Sequence, residues 1–205
     1  MIVVSQRIDH IEDRNEFRDA LDQRLANWLI ISDFFPVPIP NKLVAENNSD
    51  ILVNWIDAID PQAIILSGGN DIGEYPLRDK TEKILLEYAV DRIIPVLGLC
   101  RGLQMMAHHA GTQLVSVEGH VAARHKLKCV PDSRQGIPEE VNSYHTWGLT
   151  QCPDGYETLA TAPDGTLEAI RHRKLPWEGW MWHPEREEPF STIDSQRFNN
   201  LIYSG

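Results

Sequence analysis

The sequence predicts an α/β fold: a three-layer sandwich whose mostly parallel central sheet is covered by helices on both faces. Three observations point there. Short, wholly apolar segments at Ala63–Leu66 and Ile93–Leu99 read as buried strands. Segments with apolar residues at helical spacing alternate with them. A strand also runs straight into a G-x-C-x-G turn, Gly98 to Gly102, and then into a helix.

The elements follow in order. Ile2–Ser5 is a buried first strand, and Asn15–Ile31 reads as a helix through Phe17, Leu21, Leu25, Trp28 and Leu29. The prolines of Pro36–Pro40 force an extended connection. Asp50–Ile59 fits a helix with Asp50 as N-cap and Pro61 beyond its end. Ala63–Leu66 leads into Ser67-Gly68-Gly69-Asn70-Asp71, and Arg78–Arg92 is the next helix. Ile93–Leu99 is a strand, and Gly102–Ala110 a helix ended by Gly111. Thr112–Val117, Leu127–Val130 and Thr158–Arg173 read as strands, the last folded at Pro163-Asp164-Gly165 into a hairpin. Trp180–His183 is a last strand and Ser191–Tyr203 a closing helix. Residues 1–205 carry no repeat, low-complexity tract or heptad seam and read as one domain.

Composition excludes several roles. A formal net charge of -11 argues against general nucleic-acid binding, because the phosphate backbone would be repelled. No apolar run approaches the roughly 20 residues that span a bilayer, so no membrane partner is expected. The opening MIVVSQRIDH lacks the layout of a signal peptide, and three sparse cysteines read as reduced thiols, so a cytoplasmic setting is expected.

Chemistry concentrates at Cys100. Glycines on both sides suit a sharp strand-to-helix turn, which lifts the thiol out of the core and aims the N-terminus of the following helix at the sulfur. The backbone N–H of Arg101 then faces the oxygen of a bound carbonyl. The rival reading is a buried structural cysteine, the common fate of a free thiol. Cys129 and Cys152 lack this context. Late in the chain, His183-Pro184-Glu185 offers a base and its orienter. Strand period two is expected to put His183 and Glu185 on one side. His108 and His109 are neighbours that face apart on a helix, and the spacing of His120 and His125 is weak. With no cysteine close enough in sequence to complete a zinc set, no metal and no cofactor are expected.

Five motifs then carry a resemblance: AIILSGGNDI (Ala63 to Ile72), PVLGLCRGLQ (Pro95 to Gln104), EVNSYHTWGL (Glu140 to Leu149), DGTLEAI (Asp164 to Ile170) and WMWHPERE (Trp180 to Glu187). In this order they resemble the class I glutamine amidotransferase-like superfamily, a flavodoxin-like sandwich with a nucleophile elbow. Within it they are similar to the peptidase C26 branch, the γ-glutamyl-γ-aminobutyrate hydrolases. The resemblance implies a hydrolase that cleaves a γ-glutamyl amide through a glutamyl thioester, with Cys100, His183 and Glu185 catalytic. It implies an oxyanion hole from the N–H groups of Gly69 and Arg101. Gly68, Gln104, Asn142, Ser143, Tyr144 and His145 would hold the glutamyl part.

The chain departs from the family pattern in two places: Met181 stands where glutamine is frequent, and the pair His108 and His109 stands where an asparagine is. The segment Ser5–Arg24 resembles members found with bacterial surface-polysaccharide genes. That likeness implies γ-glutamyl-CDP-amidate as substrate, releasing glutamate and cytidine diphosphoramidate, with Arg7, Arg14, Arg101 and Arg124 as candidate charges for the phosphates. Three readings stay open beside it: a glutaminase subunit serving a synthetase partner, a γ-glutamyl-γ-aminobutyrate hydrolase, and a non-catalytic sensor or scaffold. The partner expected is a small γ-glutamyl substrate, with a homodimer also open.

Overall fold

In the computed structural model of the chain, residues 1–44, 50–130 and 136–203 are described. The first half supplies β1 (Ile2–Val4), a hairpin of β2 (Arg7–Ile11) and β3 (Glu16–Ala20), α1 (Gln23–Ile31), β4 (Pro36–Pro38) and α2 (Asp50–Ile59). These are followed by β5 (Ala63–Leu66), α3 (Pro76–Arg92), β6 (Val96–Leu99) and α4 (Arg101–His109). The second half is mostly strand: β7 (Val115–Ser116), β8 (Val121–Lys126), β9 (Lys128–Cys129), β10 (Glu140–Tyr144) and β11 (Trp147–Gly148). Then come β12 (Tyr156–Thr161), β13 (Leu167–His172), β14 (Trp177–Trp180) and α5 (Thr192–Tyr203).

The central sheet runs β4-β1-β5-β6-β14-β13-β12-β9. The contacts from β4 through β14 are parallel, and those from β14 to β9 are antiparallel. Period-two alternation divides the buried strands between two cores. Val3, Ile64, Leu66 and Val96 pack with α2, α3 and α4. Ile2, Val4, Ala63, Ile65, Leu97 and Leu99 face the other way, toward Trp28, Leu29 and Phe198 of α1 and α5. Because both faces are covered, these strands are apolar throughout. The three-layer α/β sandwich is therefore present.

Four expectations are corrected. Residues 16–20, read as helix, form β3 and pair with β2 from Arg7↔Ala20 to Ile11↔Glu16. The turn between them ends at Asn15 in the left-handed region (φ 46). Phe17 is exposed and stacks on His10 across the hairpin, so its apolar character serves a strand pair rather than a helix face. Ile93 is the left-handed cap of α3 (φ 55) instead of a strand start. Of Thr112–Val117 only Val115–Ser116 pairs, with β11. Finally, β14 ends at Trp180, so His183 lies beyond the strand. β8 and β10, which the sequence did not disclose as a pair, form their own antiparallel ribbon.

Candidate active site

The parallel strands β5 and β6 deliver two loops to the same end of the sheet. After β6, Cys100 takes φ 51 and ψ -103, strained for a non-glycine residue and held by the helix that starts at once. The glycines beside it are sterically required. A Cβ at Gly102 would stand 2.1 Å from the Leu66 carbonyl oxygen, and one at Gly98 would stand 2.5 Å from Met106 Sδ. Cys100 N–H donates to the Trp180 carbonyl at 2.8 Å, which ties the elbow to β14.

After β5, the Ser67–Asn70 loop is shaped by Arg78, a buried residue of α3 that sequence reasoning did not single out. Its guanidinium donates to the carbonyls of Ser67 (2.7 Å), Gly68 (3.0 Å) and Gly69 and to Glu82. Burial pulls Arg78 down to about 10, and Glu82 partly offsets this. Three carbonyls are thus turned toward Arg78, and Gly69 takes φ +87. The spacing of Arg78 and Glu82 suits a helix ion pair, but only the fold reveals that both are buried.

His183 and Glu185 complete the group. A Cβ on Gly68 would lie 2.8 Å from His183 Cε1 and 3.7 Å from Cys100 Cβ, so imidazole and thiol converge over that glycine. His183 Nδ1 lies 2.7 Å from Glu185 Oε1, and both side chains are buried. They meet because Pro184 opens a 3-10 turn over Pro184–Arg186, not because they share a strand face. Burial lowers the His183 pKa, but the Glu185 carboxylate and the Cys100 sulfur outweigh it and raise it to about 9. The ring is thus an imidazolium near neutrality, with Nδ1 committed to Glu185 and the remaining nitrogen on the side of Cys100.

The other predicted residues separate into groups. Arg7 packs over Gly69, its Cδ 3.1 Å from where a Cβ would be, and borders a cavity of about 40 Å³ with Gly68, Gly69, His183 and Glu185. Asn70 clamps the hairpin there: Ile8 N–H donates to its Oδ1 at 2.8 Å, and its Nδ2 donates to the Ile8 carbonyl at 3.1 Å. Asn142 is buried behind His183, accepting from His183 N–H at 3.0 Å and donating to its carbonyl at 2.8 Å. It grips the backbone of His183. Tyr144, on the same side of β10, meets the His183 ring edge-on at 5.9 Å. Gln104 donates to the Trp147 carbonyl at 2.8 Å. Ser143 and His145 turn their side chains elsewhere, Ser143 donating to the His120 carbonyl at 2.7 Å and His145 donating from Nδ1 to the Trp147 carbonyl at 3.0 Å.

The arginines also sort. Arg101 is buried and its guanidinium is bound to Glu82 and Asp79, so it does not serve a phosphate as the resemblance suggested, and only its backbone N–H remains for the expected oxyanion role. As the first residue of α4, that N–H lacks an intrahelical partner. Arg124 pairs with Glu140 and Glu187, while Arg14 is exposed at the hairpin tip. Arg186, missed in the sequence, stacks its guanidinium 4.4 Å over Tyr144 and lines the 40 Å³ cavity. A separate group of side chains, His120, His125 and Glu168, converges outside this site.

The chain is similar to several known proteins. A Gamma-glutamyl-CDP-amidate hydrolase of Campylobacter jejuni is 30% identical over 201 residues, covering 94% of this chain and 93% of its own. A glutamine-hydrolyzing GMP synthase of Aquifex aeolicus is 31% identical over 162 residues, covering 75% of this chain and 30% of its own. The crystal structure of a glutamine amidotransferase from Thermotoga maritima superimposes with a TM-score of 0.65 at 18% identity, covering 99% of this chain and 84% of that one, a likeness of fold. The Peptidase C26 family matches residues 2–185, a range that takes in most of the sequence with Cys100, His183 and Glu185, and the chain belongs to that family.

Proposed function

We propose that this chain hydrolyses γ-glutamyl amide bonds with Cys100 as nucleophile, His183 as acid and base, and Glu185 as the group that orients His183. The observation that carries it is the ring of His183, fixed by Glu185 at 2.7 Å on one side and set over Gly68 against Cys100 on the other. In the first step the Cys100 thiolate attacks the γ-carbonyl carbon, and the N–H groups of Gly69 and Arg101 receive the oxyanion. As the tetrahedral species collapses, the carbon–nitrogen bond breaks and His183 passes its Nε2 proton to the departing nitrogen. A water then loses a proton to the same nitrogen of His183 and attacks the thioester. Glutamate leaves, and the thiolate and imidazolium are restored.

For the substrate, γ-glutamyl-CDP-amidate fits best, with glutamate and cytidine diphosphoramidate as products. The similarity to the Campylobacter enzyme extends along nearly the whole of both chains. Arg7 over Gly69 and Arg186 beside Tyr144 stand where a diphosphate leaving group could be met, and the Arg7 ion pair with Asp9 is an exposed contact. A second reading, a glutaminase that supplies ammonia to a synthetase, is favoured by the likeness to GMP synthase. Glutamate release from γ-glutamyl-CDP-amidate, glutamine and γ-glutamyl-aminobutyrate separates them. The proposal expects the nucleotide amidate to give the highest kcat/KM, without a partner protein. Preference for glutamine only on addition of a synthetase would favour the second reading.

A further inference from the structure

We propose that His120, His125, His145 and Glu168 form a binding site for a divalent first-row transition metal ion, zinc being the best fit. They come from distant parts of the chain: His120 just before β8, His125 within it, His145 just after β10, and Glu168 in β13. The donor atoms of His120, His125 and Glu168 lie within 4.8 Å of one another. Three ring nitrogens aim at a single carboxylate oxygen, Glu168 Oε1: His125 Nε2 at 3.2 Å, His120 Nδ1 at 3.5 Å and His145 Nε2 at 3.5 Å. A tetrahedral zinc with bonds of about 2.0–2.1 Å places neighbouring ligand atoms about 3.3–3.4 Å apart, and the three edges that meet at Glu168 Oε1 lie close to that length.

Hydrogen bonding favours a cation in the middle. Glu168 is fully buried, and neither of its oxygens has a hydrogen-bond partner among the described residues; nor do His125 Nε2 and His145 Nε2. A buried carboxylate is costly unless positive charge or hydrogen bonds compensate it. Two of the rings are also anchored from outside the cluster. His145 Nδ1 lies 3.0 Å from the Trp147 carbonyl, an acceptor only, so its proton sits there and Nε2 presents a lone pair toward Glu168. His120 Nε2 lies 2.9 Å from Asp164 Oδ2, so Nδ1 is the nitrogen that faces inward. Ser143 Oγ is 3.5 Å from that Nδ1, but its proton goes to the His120 carbonyl at 2.7 Å. Metal-bound histidines are held in this way, the outer nitrogen donating to a carboxylate or carbonyl so that the inner one is fixed as ligand. Asp164 is itself steadied by the Thr166 N–H and hydroxyl.

The spacing hid this site. Residues 120 and 125 fall on opposite faces of a regular strand. Ser143 pairs with Ala123 and Tyr144 with Val121, so Ala122, at φ 51, is a bulge that turns the two histidines to one side. Four protein ligands make a closed site of structural type. It would pin β8, β10 and β13 together next to Asn142, whose amide holds His183, and beneath Met181, whose N–H donates to the Glu168 carbonyl at 2.7 Å.

The test is metal analysis of the full chain purified without chelator from zinc-supplemented cells, followed by cobalt(II) titration of the stripped wild-type protein. We expect about one zinc per chain and the intense visible bands of four-coordinate cobalt. Glu168→Gln and His125→Ala should lose both, and Asp164→Asn should weaken zinc binding by about 10- to 100-fold. The cobalt spectrum uses wild-type protein, so it decides the matter even where a variant fails to fold. Absence of zinc together with a six-coordinate cobalt spectrum, or undiminished zinc in folded Glu168→Gln, would overturn the site and leave a histidine–carboxylate ion cluster.

Discussion

At the residue scale, the chemistry depends on how few degrees of freedom His183 retains. Glu185 fixes one ring nitrogen and Asn142 fixes the peptide on both sides of the ring. Glu185→Gln keeps the shape but removes the charge that holds the imidazolium. We expect kcat to fall by about 100- to 10,000-fold, the range for a mis-set general base. The pH profile gives the sharper readout. His183 is raised to about 9, so the leaving nitrogen loses its proton donor, and kcat/KM declines, as pH rises through that value. In Glu185→Gln this alkaline limb should move toward the ordinary 6.5, and a limb that stays in place would show that Glu185 does not set the pKa. Asn142→Ala removes partners from a buried His183 N–H and carbonyl, at a cost of about 1–3 kcal/mol each. Thermal unfolding should show the loss, and kcat should fall more than KM rises.

At the element scale, the elbow is a packing problem solved by glycine. β6 and α4 approach β5 so closely that Gly102→Ala drives a methyl into the Leu66 carbonyl. The chain should lose at least about 1–3 kcal/mol in denaturant unfolding, as overpacked cores do. A wild-type midpoint would mean that α4 does not sit as described. The β2–β3 hairpin is the other element that reaches the site, and Asn70 is its clamp. Asn70→Ala should raise KM for a nucleotide-bearing substrate, because Arg7 is carried on that hairpin, while leaving KM for glutamine nearly unchanged.

Over the whole molecule, the sandwich was legible because its strands are buried on both faces and therefore apolar without interruption, as at Ala63–Leu66. Cys100, His183 and Glu185 were legible because their motifs are local. What escaped was made by contacts distant in sequence. The β2–β3 hairpin hid behind apolar spacing that also fits a helix, and the buried role of Arg78 depends on carbonyls about ten residues away. The Ala122 bulge cancels the very periodicity by which β8 would be read. Burial also couples the closing helix to pH. Asp194 in α5 is raised by burial to about 7, against 3.8 for the ordinary group. The stability it contributes is whole below 3.8 and is lost as pH rises through about 7. Asp194→Asn keeps an acceptor for the Trp182 indole N–H and carries no charge, so it should unfold at a higher temperature than wild type at pH 8, with the gap narrowing at pH 5. An unchanged gap would mean that the carboxyl is ionised throughout.

The central claim is that glutamate passes through a bond to one sulfur. It is tested most directly by acid-quenching the wild-type protein during turnover of a γ-glutamyl amide and mapping its peptides by mass spectrometry. The mechanism predicts a glutamyl residue on the peptide that carries Cys100, and neither adduct nor glutamate release in Cys100→Ala. Glutamate release that persists at the wild-type rate in Cys100→Ala would contradict it.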